Sequence, residues 1–166
     1  MAEKLTRRRP MVNVSTISKC PNIGFLGQFL NMTGGRRADL LEHLGMTTQG
    51  FCRWFSVDDI KWSLVVSIFD YFGFGVKMVF KYQNGNPPSR AMAASMMNVL
   101  DPDMRLTPLF VEMKLNNMNF EMVGKKMGMT PQAVNHWFIE DDTSVSNIRK
   151  FAEAFGAAIE FEPFER

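Results

Sequence analysis

Cysteine and histidine are scarce in this chain. Its 166 residues hold two of each: Cys20, Cys52, His43 and His136. Neither pair has the Cys-x-x-Cys or His-x-x-x-His spacing of a structural zinc site, so no metal is expected. Two cysteines do not make a disulfide framework, which fits a reducing, cytoplasmic setting. No apolar run reaches the ~20 residues of a membrane helix. The basic start MAEKLTRRRP lacks the apolar stretch that a secretory signal needs behind it. There is no glycine-rich phosphate loop and no nucleophile elbow. His43 has Glu42 beside it, but adjacent residues on a helix face different ways. Neither catalysis nor a cofactor is expected.

Hydrophobic residues make up 46% of the chain, enough for a packed core. The formal net charge of +2 conceals a gradient. Through Arg90 there are 12 basic and 6 acidic residues; from Ala91 onward there are 7 and 11. The first half is suited to a polyanion and the second, as a whole, is not.

One phrase occurs twice. LGMTTQGFCRWF at Leu44–Phe55 returns as MGMTPQAVNHWF at Met127–Phe138, displaced by 83 residues. Without a gap, the register continues through paired aspartates (Asp58-Asp59 and Asp141-Asp142), Ser63 with Ser146, and Phe72-Gly73 with Phe155-Gly156. Eleven identities between Leu44–Gly73 and Met127–Gly156 mark a duplicated structural unit. The chain therefore reads as a basic N-terminal arm (1–21), a first unit (22–82), a linker (83–90) and a second unit (91–166). The linker is marked by Gly, Asn and paired Pro in QNGNPPSR. AMAASMMNVL after it reads as an extra helix, stopped by DPD.

Local signals define each unit. In the second copy Thr107 is a candidate N-cap, with Pro108 opening a helix. Met122, Val123 and Met127 form an apolar stripe that stops at Gly128, a residue free to take positive φ. Thr130 caps a new helix with Pro131 just inside. A short helix, a tight turn and a second short helix form a helix-turn-helix. Burial is expected at Val123, Met127, Met129, Val134 and Trp137, and in the first copy at Leu40, Leu44, Met46, Phe51 and Trp54. Gly124 falls where the two helices approach most closely. Leu41 takes that place in the first copy, where a more open crossing angle is expected. Ser63 and Ser146 are candidate caps of the helices that follow. GVKMVFKY and AAIEFEPF, which end the two copies, read as strands.

These motifs resemble the lambda-repressor-like (Cro/repressor, XRE) helix-turn-helix family, over about Gly24–Gly73 and Pro108–Gly156. The resemblance implies a mainly α fold of tandem helix-turn-helix units, each here followed by a short β-strand where the family has a fifth helix. It implies a sequence-specific double-stranded DNA-binding regulator of transcription. Its recognition helices, 48–55 and 131–138, would enter the major groove. Base contacts would come from Thr48, Gln49 and Arg53 in the first copy, and from Gln132, Asn135 and His136 in the second. Phosphate contacts would come from Arg36, Arg37 and Lys61, and from Thr130, Lys125, Lys126, Arg149 and Lys150. Arg7, Arg8 and Arg9 would reach along the backbone or into a minor groove. Asp141 and Asp142 are expected to be loop or capping residues, since phosphate would repel them.

Two arrangements of the copies are open. Antiparallel pairing of the two strands, with Lys77 and Lys81 against Glu160 and Glu162, would make an intramolecular pseudo-dimer with a small antiparallel sheet. Pairing with another chain would make a homodimer. A different function also stays open: an antitoxin-like or anti-repressor module reusing the fold to hold a protein partner.

Overall fold

The computed structural model describes residues 9–83, 87–97, 100–101 and 103–166. Among these the chain is mainly helical, with ten helices and a two-stranded antiparallel sheet. No helix among them is long and apolar enough to cross a membrane. The chain divides into two compact units between Asp59 and Ile60.

The first unit contains α1 (Val14–Ile17), α2 (Gly24–Met32), α3 (Arg37–Leu44) and α4 (Thr48–Val57). Ile23, Leu26, Leu30, Leu40 and Phe51 form its core. The segment following the arginines, expected to be part of an arm, is built into this core from Met11 onward. Met11 and Val12 are buried. The Val12 amide donates to Asn31 Oδ1 at 3.0 Å, and Asn31 Nδ2 donates to the Val12 carbonyl at 2.8 Å. Cys20 is buried as well, its thiol donating to the Phe55 carbonyl. Helix α1 lies on α2 at Gly27, where a Cβ would come within 2.7 Å of Ile17 Cγ1.

The second unit contains α5 (Trp62–Tyr71), β1 (Phe74–Tyr82), α6 (Arg90–Met97), α7 (Thr107–Leu115), α8 (Phe120–Met127), α9 (Pro131–Glu140), α10 (Val145–Ala154) and β2 (Ala157–Glu165). The extra helix expected after the linker is α6; residues 84–86 of the linker and 102 of the stop lie outside the described residues. Phe110, Phe120, Phe138, Phe151 and Phe155 run through this unit as a chain of rings 5.1–6.0 Å apart. Buried Glu112 accepts from the Tyr82 hydroxyl at 2.6 Å, and Asn116 Nδ2 donates to the same hydroxyl. A buried carboxylate is costly unless hydrogen-bonded in this way.

The 83-residue displacement extends over whole elements. Helices α2 to α5 and strand β1 recur, with identical lengths, as α7 to α10 and β2. The turns match: Gly45 and Gly128 are left-handed at φ 63° and 70°, and Met46 and Met129 donate back to Leu41 and Gly124. A Cβ on Gly124 would sit 2.7 Å from the Met129 carbonyl oxygen, so α8 meets the backbone of the turn closely at this residue.

The aspartates match also. Asp58 and Asp141 each end a helix at positive φ, 52° and 49°. The Asp58 carboxylate accepts from the amides of Asn22 and Ile23, and the Asp141 carboxylate from those of Arg105 and Leu106. Each fastens the start of its own copy to the end of α4 or of α9. Asp142 takes a second capping role: its carboxylate accepts from the Ser63 amide and hydroxyl at the start of α5.

The sheet carries a local two-fold relation. Strands β1 and β2 pair antiparallel with Met78 opposite Phe161, its own counterpart at the 83-residue spacing. Lys61 likewise bridges its counterpart Ser144. The Trp62 amide donates to Thr143 and the Val145 amide to Ile60, an exchanged pair that the same relation maps onto itself. Met78, Phe80, Ile159 and Phe161 share one face, covered by α5 and α10. Lys77 faces Glu162 at 3.4 Å on the other, and Lys81 reaches Glu160 diagonally at 3.6 Å.

Some sequence expectations shift. Thr107 is the first helical residue rather than the cap, and its hydroxyl donates to the Asp101 carbonyl. The caps of α5 and α10 are Lys61 and Ser144, not Ser63 and Ser146. Met122 is exposed, lying off the buried stripe. Met127, Met129, Leu44 and Met46 are only half-buried, because they flank a turn that water reaches.

Asp141→Ala is expected to destabilise the chain by about 1–3 kcal/mol in urea unfolding, since two amides lose their acceptor. Asp141→Asn, which keeps an acceptor and tolerates positive φ, should cost clearly less. Gly124→Ala should also destabilise, by about 1–3 kcal/mol, as the new methyl meets backbone rather than a movable side chain.

Candidate nucleic-acid interface

Helices α4 and α9 are built alike. Thr47 caps α4 by accepting from the Gly50 amide at 3.1 Å; Thr130 caps α9 by accepting from the Ala133 amide at 3.2 Å. Such caps satisfy backbone donors that a helix start leaves open. Each helix closes its rear with apolar side chains, Phe51 and Trp54 in α4 and Val134 and Trp137 in α9. Both helices run two residues beyond the predicted 48–55 and 131–138, to Val57 and Glu140.

The outward faces are open. Gln132, Asn135 and His136 are all exposed, and their spacing places them along one stripe of α9. Thr48, Gln49, Cys52 and Arg53 are exposed on α4. The amide groups of Gln and Asn can pair bidentately with an adenine edge, and the guanidinium of Arg with guanine. His136 Nε2 lies 4.0 Å from Glu140 Oε1, an ion pair only when the imidazole is protonated.

The cations expected at phosphates divide into two groups. Lys125 and Lys150 are exposed, as is Arg9; Arg7 and Arg8 lie outside the described residues. The others already have partners. Arg36 grips Asp39 through two bonds of 2.9 Å, which hold the Asp39 carboxyl below its usual range. Lys61 lies 3.8 Å from Asp142. Lys126 Nζ donates to the Ala154 carbonyl at 2.8 Å. Arg149 donates to the Ile159 carbonyl at 2.7 Å and covers the Phe161 ring, bracing α10 against β2. Thr130 uses its oxygen as an acceptor in the cap. Arg37 lies over the Phe51 ring, 5.7 Å from its centroid.

A groove of about 490 Å³ in the first unit does not follow from any sequence motif. It runs along α4 past Cys52 and Ser56 and is bounded by Arg9, Met11 and Arg37. It depends on the burial of Met11 and Val12, which follow Arg9 and Pro10 and hold that segment on the unit.

No family model, curated protein or solved structure matches the chain.

The two thiols differ. Burial pushes the Cys20 thiol up, and the charge of Asp58 adds to this. Cys52 is exposed. Under native conditions at neutral pH a maleimide is expected to label Cys52 alone, with Cys20 labelled only after unfolding; peptide mass spectrometry distinguishes them.

Proposed function

We propose that the chain is a sequence-specific double-stranded DNA-binding protein of the lambda-repressor-like helix-turn-helix kind, acting in transcription regulation. Helices α4 and α9 are its major-groove readers. The observation that carries this reading is the face of α9. Gln132, Asn135 and His136 stand open to solvent on a short helix. Thr130 caps that helix and Trp137 closes it at the rear. A duplex needs such a rod with polar residues toward the base edges. The basic first half supplies sequence-independent attraction.

The differing faces of α4 and α9 would read different base sequences. Arg53 on α4 suits guanine, and Gln132 with Asn135 on α9 suit adenine. A second reading, a protein-binding module, is favoured by one feature. Ile139 and Val57, beside the proposed reading faces, are 69% and 57% exposed. Binding to duplex DNA that is absent, or insensitive to salt, would support that module instead.

Selection of bound sequences from random duplexes is the direct test. An enriched sequence is expected. Gln132→Ala and Asn135→Ala should each relax preference at particular positions, by about 1–3 kcal/mol of discrimination, without changing the melting temperature. An enriched sequence read equally well by both variants would show that other side chains do the reading.

A further inference from the structure

We propose that the second unit binds a small uncharged molecule by a compact hydrocarbon group, an aromatic ring or a branched aliphatic chain, in the pocket between the start of α7 and the end of α9. Such a site stands whether or not the face of α9 reads DNA.

Three observations support the assignment. The first is the wall. The pocket holds about 180 Å³, and Leu100, Met104, Leu106, Phe110 and Phe138 surround it. Phe110 and Phe138 meet edge to face with centroids 5.9 Å apart, and both rings are only half-buried. A dry apolar cavity of about 150 Å³ is enough to take up benzene. Hydrocarbon that enters such a space leaves water and gains packing contacts.

The second is the state of the polar groups at the border. The Thr107 hydroxyl donates to the Asp101 carbonyl at 2.9 Å. The Asp101 carboxylate accepts from the Asp103 amide, and the Asp141 carboxylate from the amides of Arg105 and Leu106. Each already has a partner. A charged group in the pocket would lose its water without a matching gain.

The third is the other copy. At the 83-residue spacing Leu100, Phe110 and Phe138 correspond to Ile17, Gly27 and Phe55. In the first unit those three meet. A Cβ on Gly27 would lie 2.7 Å from Ile17 Cγ1 and 3.3 Å from Phe55 Cε1. The isoleucine that ends α1 thus takes the place over residue 27 and beside Phe55. In the second unit Phe110 replaces the glycine, so the residue before α7 cannot come so close, and a space remains. A branched hydrocarbon fills the site in one copy, and that chemistry is what the open site of the other suits.

The test titrates toluene into the full chain and follows its methyl NMR signals. Benzoate and benzylamine, the same ring with a charge of either sign, are compared. Two variants reduce the space: Leu100→Trp in the wall, and Met104→Trp, which replaces an exposed residue. Toluene is expected to shift the signals of Leu100, Met104 and Leu106 saturably. Each variant should weaken its binding at least about tenfold, since a filled space cannot take the ring. Signals of the core residues Val65 and Ile148 should stay in place in Met104→Trp, which shows that the fold is kept. Shifts that do not saturate, or that are as large at exposed Met32 and Met122, would mean adsorption to the surface and overturn the assignment. Undiminished binding by both variants would do the same. Benzoate or benzylamine bound as tightly as toluene would overturn the uncharged class. If toluene does not bind, while light scattering shows self-association that Met104→Trp abolishes, a second copy is the occupant and the small-molecule assignment fails.

Discussion

The pairing of β1 with β2 is the constraint on which the second unit depends. Its register sets Met78 against Phe161, and the bridge between Lys61 and Ser144 repeats the same correspondence nearby. An interface in which each residue meets its own equivalent is what two identical chains form about a two-fold axis. Here both partners belong to one chain. Covalent linkage makes the encounter intramolecular, so it does not depend on protein concentration. The exchanged bonds of Trp62 with Thr143 and of Val145 with Ile60 extend the correspondence to the starts of α5 and α10. Helices packed on the sheet inherit their positions from it.

Much of this is legible in the sequence. Phe-Gly at 72–73 and 155–156, the threonine caps and the turn glycines are strong local signals, since each follows from a backbone requirement. The alternation of lysine and glutamate with apolar residues locates both strands, while their pairing within one chain or between two stays open on the sequence alone. Less legible are features set by distant partners. Asp58 and Asp141 look like loop residues until the amides they accept from, more than thirty positions earlier, come into view. Ser63 and Ser146 look like caps because serine prefers that place. In α5 the role passes to Asp142, 79 residues away. Arg149 and Lys126 look like surface cations; backbone carbonyls of neighbouring elements claim both. The groove depends on where Met11 and Val12 pack, which no local pattern states.

The copies share a scaffold and differ in what they expose. Backbone requirements keep glycine, threonine, tryptophan and aspartate at matching places. Outward positions are free of that constraint, and there Gln49 is retained as Gln132 while Cys52 and Arg53 correspond to Asn135 and His136. Divergence on a retained scaffold is what permits two copies to take unlike tasks.

The distribution of charge along the sheet has one more consequence. Lysines lie on β1 and glutamates on β2, so the two strands attract as a pair. Were β2 strands from separate molecules to pair in the same register, Glu160 of one would stand directly against Glu162 of the other, and such like-charge neighbours repel. Two β1 strands in that register would set Lys77 of each diagonally beside Lys77 and Lys81 of the other, a weaker form of the same repulsion. Matching halves of different molecules therefore reject each other while unlike halves join, which discourages the end-to-end growth that exposed strand edges otherwise invite.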